Sequence, residues 1–153
     1  MKYPVILIVL VLGIVCSCNK SPVAPPSDDG AVIYNREGLV DSAVVNGCYP
    51  DTRRFFIDTL SLANYSKVKV EFNGLTNSDG SYIKVFYNSA DSSNAELYYA
   101  EDEIAINGNH SFEFNKPANT VWMEVRIYIN PPVCGQGEFK FTRARDLKIY
   151  GIK

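Results

Sequence analysis

The chain has 153 residues, 46% of them hydrophobic, and a formal net charge of -2 from 15 basic and 17 acidic side chains. That length supports one domain with a real core and is too short for two comfortable ones. Bases scattered among a larger number of acids exclude a nucleic-acid partner, which requires Lys and Arg clustered against phosphate.

The first element is an apolar run from Val5 to Val15 behind a single positive residue, Lys2. It is too short to cross a hydrocarbon core of about 30 Å as a stable helix, and it fits the apolar region of a signal peptide. The run breaks off at Cys16-Ser17-Cys18. A Cys-x-Cys metal site would need further Cys or His ligands nearby, and the sole histidine is His110. A disulfide across one intervening residue is badly strained. The stretch resembles the lipobox of bacterial lipoproteins, with Ser17 as the small residue before the cut and Cys18 as the lipid carrier. Cys16 matches poorly because bulky Val15 would adjoin the cleaved bond. The resemblance implies that residues 1–17 leave as a signal peptide and that the membrane is reached through the lipid on Cys18. Asn19, where an aspartate would resemble an inner-membrane retention signal, implies an outer-membrane address.

Residues 18–30 carry Pro22, Pro25 and Pro26 and no aromatic residue. Such a segment cannot bury enough surface to fold, so it reads as a tether, reaching up to about 40 Å at about 3.1 Å per residue. The folded domain is expected over 31–153. With Cys16 removed and Cys18 lipidated, Cys48 and Cys134 are left as a pair, expected to form a disulfide in an oxidising compartment. The alternative is two buried thiols.

From Ala31 onward, short β-patterned runs are separated by turn chemistry at Asn46-Gly47, Asn73-Gly74, Asp79-Gly80, Asn107-Gly108 and Asn130-Pro131-Pro132. In the run from Lys67 to Phe72, Val68, Val70 and Phe72 share one face. In the run from Val121 to Ile129, Val121, Met123, Val125, Ile127 and Ile129 share one face, so Trp122, Glu124, Arg126 and Tyr128 share the other. Leu147 and Ile149 repeat the pattern. The Asn107-Gly108 pair predicts a hairpin with a three-residue loop, pairing Ile106 with His110 and Ile104 with Phe112. His110 then reads as a hydrogen-bonded structural histidine, since no Cys, Ser or acid constellation surrounds it.

Eight to ten short strands of this kind predict an all-β antiparallel β-sandwich or barrel. The runs SLANYSKVKVEFNG, TVWMEVRIYI and FTRARDLKIYGIK together resemble the β-jelly rolls of galactose-binding-like and carbohydrate-binding modules over Cys48 to Lys153. The resemblance rests on framework motifs and implies a jelly-roll sandwich; it transfers no binding residue.

Three sets of residues carry candidate chemistry. Glu101 and Glu103 would share one face of an extended segment, the spacing a retaining glycosidase needs, although charges there also serve to protect a sheet edge. Asn77 and Asp79, in the run Thr76 to Tyr82, offer oxygens to a structural calcium as cofactor; an Asp-Gly turn is the plainer reading. The outward aromatics are the third set. Trp122, Arg126 and Tyr128, with Tyr82, Lys84 and Phe86 of the neighbouring run, form a flat aromatic and charged surface of the kind sugar rings stack on. The plainer reading is a structural cluster under loops or under the segment around Tyr34. The expected function is a lipid-anchored, non-catalytic envelope lipoprotein that binds carbohydrate. A structural or assembly lipoprotein docking another envelope protein is the alternative, and a glycoside-active enzyme is a distant third.

Overall fold

A computed structural model describes residues 30–88, 96–131 and 137–153. The expected signal peptide, Cys18, the tether up to residue 29 and Cys134 lie outside the described residues. Within them the strands are β1 (Ala31–Val45), β2 (Asp51–Ser61), β3 (Lys67–Thr76), β4 (Tyr82–Tyr87), β5 (Glu96–Glu101), β6 (Gly108–Asn115), β7 (Thr120–Ile129) and β8 (Lys140–Ile152), with one short helix, α1 (Asp102–Ile106), between β5 and β6.

The strands form two four-stranded antiparallel sheets, β1-β8-β3-β6 and β2-β7-β4-β5. The pairings β1 with β8, β2 with β7, β3 with β6 and β4 with β5 describe one long antiparallel ribbon whose tip is β4–β5. Rolling that ribbon sends alternate strands to opposite sheets, and the added pairings of β3 with β8 and β4 with β7 join its turns. This connectivity is the jelly roll, in which two Greek keys leave only short edges. The expected all-β sandwich of jelly-roll type is therefore the fold.

Alternation places the core between the sheets. Val68, Val70, Phe72, Leu147 and Ile149 from one sheet meet Ile83, Val85, Met123, Val125 and Ile127 from the other, all buried. Burying such a side chain contributes about 1.5–3 kcal/mol, so this double layer carries most of the stability. At one edge the gap is closed by half-buried aromatics: Tyr98 stacks on Phe112 at 5.0 Å, and Tyr87 on Phe114 at 6.1 Å.

The predicted Asn107-Gly108 hairpin does not form. Residues 102–106 coil into α1, Asn107 donates its backbone N–H to the Glu103 carbonyl, and β6 leaves to pair with β3, so His110 faces Phe72 and Phe112 faces Val70. Asp102, in the left-handed region at φ 69°, turns the chain out of β5, and its carboxylate accepts the Gly80 N–H at 2.9 Å. The chain thereby crosses from one sheet to the other, which a tight hairpin could not do. Gly74 makes the crossing possible: a Cβ there would collide with the Ile106 carbonyl oxygen. Glu101 ends β5 whereas Glu103 lies in α1, so the two acids do not share a strand face as the sequence predicts.

Candidate functional site

Register assembles the outer face of β2-β7-β4-β5 in rows across the strands. Tyr128 stands opposite Tyr82 on one side and Thr52 on the other. Arg126 stands between Lys84 and Arg54, and Glu124 between Phe86 and Phe56. All six residues expected to form the aromatic surface, Trp122, Arg126, Tyr128, Tyr82, Lys84 and Phe86, therefore lie on one face.

They do not lie at one depth. Phe86 is 0% exposed, Glu124 0% and Arg126 5%, although none of the three belongs to the core between the sheets. Arg126 places its guanidinium 4.5 Å from the Phe86 ring centroid and holds Glu124 by two hydrogen bonds, Nε to Oε1 at 2.7 Å and Nη2 to Oε2 at 3.1 Å. The middle of the face is dry and already satisfied. Its two ends hold the accessible rings.

At one end Tyr82 and Tyr128 stack at 4.8 Å and 13°, and Tyr99 joins Tyr82 at 6.2 Å. Lys84 lies over the Tyr99 and Tyr82 rings, 4.5 and 5.2 Å from their centroids, while pairing with Glu96 at 3.1 Å. The Tyr99 phenol is hydrogen-bonded to Glu101. That bond, with smaller contributions from burial and from the charges of Glu101, Asp102 and Glu96, pushes its pKa up to about 12.

At the other end Trp122 is half-buried and leans on Phe56 at 6.0 Å. A recess of about 320 Å³ opens beside it, lined by Thr59, Asn88, Thr120, Val121 and Trp122. Asn88 holds the tryptophan's backbone: its N–H donates to the Trp122 carbonyl at 2.9 Å, and its side-chain oxygen accepts the Trp122 N–H at 2.9 Å. Thr59 (φ 40°) and Asn88 (φ 46°) are both left-handed. For a β-branched threonine that conformation is an outlier, and such strain gathers at functional sites. Sequence reasoning missed Thr59, Asn88 and Phe56 because none is close to Trp122 in the chain.

The other predicted positions have structural partners. His110 donates Nε2–H to the Ile106 carbonyl at 2.7 Å, which leaves Nδ1 to accept from the Tyr98 hydroxyl, and its ring stacks on Phe72 at 4.8 Å. Burial raises the Tyr98 pKa. Asn77 spends both halves of its amide on the start of β8, Nδ2 to the Phe139 carbonyl at 3.1 Å and Oδ1 from the Phe141 N–H at 2.8 Å. Asp79 and left-handed Gly80 form the turn beyond it. Among the described residues no three His, Cys, Asp or Glu side chains gather as a metal-binding set. Tyr34 packs against the core between the sheets and so does not roof the aromatic face. Cys48, in the connection from β1 to β2, is not a free thiol.

The described residues form a jelly-roll sandwich of eight strands with an aromatic outer face. No protein-family model matches the chain, and no curated protein matches it in sequence.

Proposed function

We propose that the protein is a lipid-anchored, non-catalytic lipoprotein of the bacterial outer membrane that binds carbohydrate on the outer face of β2-β7-β4-β5. The observation that supports this reading is Trp122 at the lip of the recess lined by Thr59, Asn88 and Thr120. A pyranose presents an apolar C–H face to such a ring and its hydroxyls to the neighbouring amide and hydroxyl groups. The tyrosine pair of Tyr82 and Tyr128 supplies a second contact. Trp122 and Tyr128 are six residues apart on one strand, roughly 20 Å, so the ligand is an oligosaccharide spanning the dry centre rather than one sugar.

The anchoring half of the proposal is tested by Cys18→Ala, which moves the protein out of the membrane fraction if Cys18 bears the lipid. Several acyl chains give a stable anchor where one gives a marginal one. The binding half is tested by presenting residues 31–153 to a glycan panel, with an envelope pull-down in parallel.

The pull-down matters because a second reading has its own support. Tyr49, Ile104 and Phe139 are 84%, 95% and 53% exposed, in the β1–β2 connection, in α1 and just before β8. Asn107 and Phe139 bond to the adjacent residues Thr76 and Asn77, which brings α1 and the start of β8 to the same end of the sandwich. Exposed apolar side chains gathered at one end favour a protein partner. Capture of an envelope protein without any glycan selects that reading.

A further inference from the structure

The outer face of β1-β8-β3-β6 carries a separate depression, and an irregularity in β8 produces it. The β3–β8 register steps from Glu71 opposite Lys148 to Asn73 opposite Arg145, so Asp146 and Leu147 together oppose Phe72. On the other side of β8, the pairing steps from Arg36 opposite Leu147 to Leu39 opposite Arg145. At the centre Asp146 is left-handed, φ 53°, and its Oδ1 accepts the Gly38 N–H at 2.7 Å. A bulge shared by both neighbours bends the sheet and re-aims the side chains beside it.

Over this bend lies a cleft of about 390 Å³ lined by Glu71, Asn73, Asn109, Ser111, Asp146 and Lys148. That is within the span of small-ligand sites, about 300–1,000 Å³. Its polar groups are held in place but not used up. Asn73 donates Nδ2–H to Asn109 Oδ1 at 2.9 Å, which leaves the Asn73 oxygen and the Asn109 amide hydrogens facing outward from the pair. Glu71 is fixed by Lys69 at 2.8 Å and by the Tyr150 hydroxyl at 3.0 Å. Among the described residues the Lys148 ammonium and the Ser111 hydroxyl have no hydrogen-bond or ion-pair partner.

The geometry points to a second carbohydrate contact, one neutral pyranose held by hydrogen bonds to its hydroxyls. Donors (Lys148, Asn109) and acceptors (Asn73, Asp146) are interleaved, and a sugar's vicinal hydroxyls both donate and accept. Lys69 offsets Glu71 and Lys148 offsets Asp146, so the cleft attracts neither an anion nor a cation as a class. Phe72, beneath it, is 3% exposed, so stacking contributes nothing and the affinity is weak. This site shares its ligand class with the proposed function but lies on the opposite sheet and uses none of the residues around Trp122.

The test is a titration of the full-length, ¹⁵N-labelled protein in detergent micelles with methyl glycosides of a hexose, an N-acetylhexosamine and a hexuronic acid. The side-chain amide signals of Asn73 and Asn109 shift with a neutral glycoside. Asn109→Ala and Lys148→Met each weaken the response about tenfold, the loss expected for one charged or bidentate hydrogen bond. Asn109 is exposed and Lys148 half-buried on the outer face, and unchanged thermal midpoints show that the fold is intact. Trp122→Ala leaves these shifts in place, so failure of the aromatic site and failure of the cleft are read separately. Absence of shifts at Asn73 and Asn109 with every glycoside, a preference for the hexuronate, or full responses in both variants overturns the assignment.

Discussion

Arg126 grips Glu124 through two parallel hydrogen bonds of 2.7 and 3.1 Å, on the outer face of a sheet, with both residues at most 5% exposed. The pair lies beside Phe86, and Arg54 adds a weaker contact to the same carboxylate at 3.6 Å. Removing one partner of a desolvated ion pair leaves the other charge uncompensated, which costs about 3–5 kcal/mol, whereas replacing both with apolar residues of similar volume is close to neutral. Glu124→Gln therefore lowers urea-unfolding stability by several kcal/mol, and the double change Glu124→Leu with Arg126→Met recovers most of it. Equal losses in the single and double variants would remove the pairing argument.

That pair also marks the limit of what alternation reveals. Val121 to Ile129 alternate faithfully, and the inward set is buried as expected. The same pattern implies that the opposite face is wetter, yet its middle is dry. The difference comes from Phe86, which pairs with Glu124 across a sheet neighbour distant in the chain. A strand's own sequence shows which way a side chain points, and the partners beside it decide whether water reaches it. The same reasoning explains α1. Asn107-Gly108 carries hairpin chemistry, but β6 pairs with β3 because Phe112 and Phe114 then face the gap between the sheets. Tertiary burial outweighed the turn signal. The aromatic residues of the candidate site were legible as a set, while the recess at Trp122 was not, because Thr59 and Asn88 are brought there by left-handed backbone.

If the protein is exported as proposed, Cys48 and Cys134 are expected to be bridged, joining the β1–β2 connection to the chain after β7. A loop of that length contributes at most about 4–5 kcal/mol by restricting the unfolded chain. Non-reducing peptide mapping recovers them as one linked pair. Recovery of each as an alkylated thiol contradicts the bridge and the oxidising location with it.

Tyr99 reports on the charged rim of the aromatic face. Its pKa is raised to about 12 from the usual 10.0, first by the hydrogen bond to Glu101. The folded value lies above the unfolded one, so the associated stability is fully present below pH 10 and is lost as pH rises toward about 12. The difference between wild-type and Tyr99→Phe absorbance titrations at the phenolate band shows a midpoint near 12. In Glu101→Gln the midpoint moves back toward 10. An ordinary midpoint in the wild type would mean that the Tyr99–Glu101 bond does not form.

Under the proposed function Trp122 contacts ligand and does not hold the fold together. Retention on immobilised oligosaccharide and thermal unfolding are measured side by side for the wild type and for Trp122→Ala. A half-exposed ring contributes less to folding than a core residue, so the midpoint falls by only a few degrees, equivalent to about 1 kcal/mol in a domain of this size. Retention falls by more than about tenfold, because an aromatic contact of this kind is worth more than about 1.4 kcal/mol to the bound state. A large drop in the unfolding midpoint with glycan retention unchanged, or absence of retention by the wild type on every oligosaccharide, would contradict it.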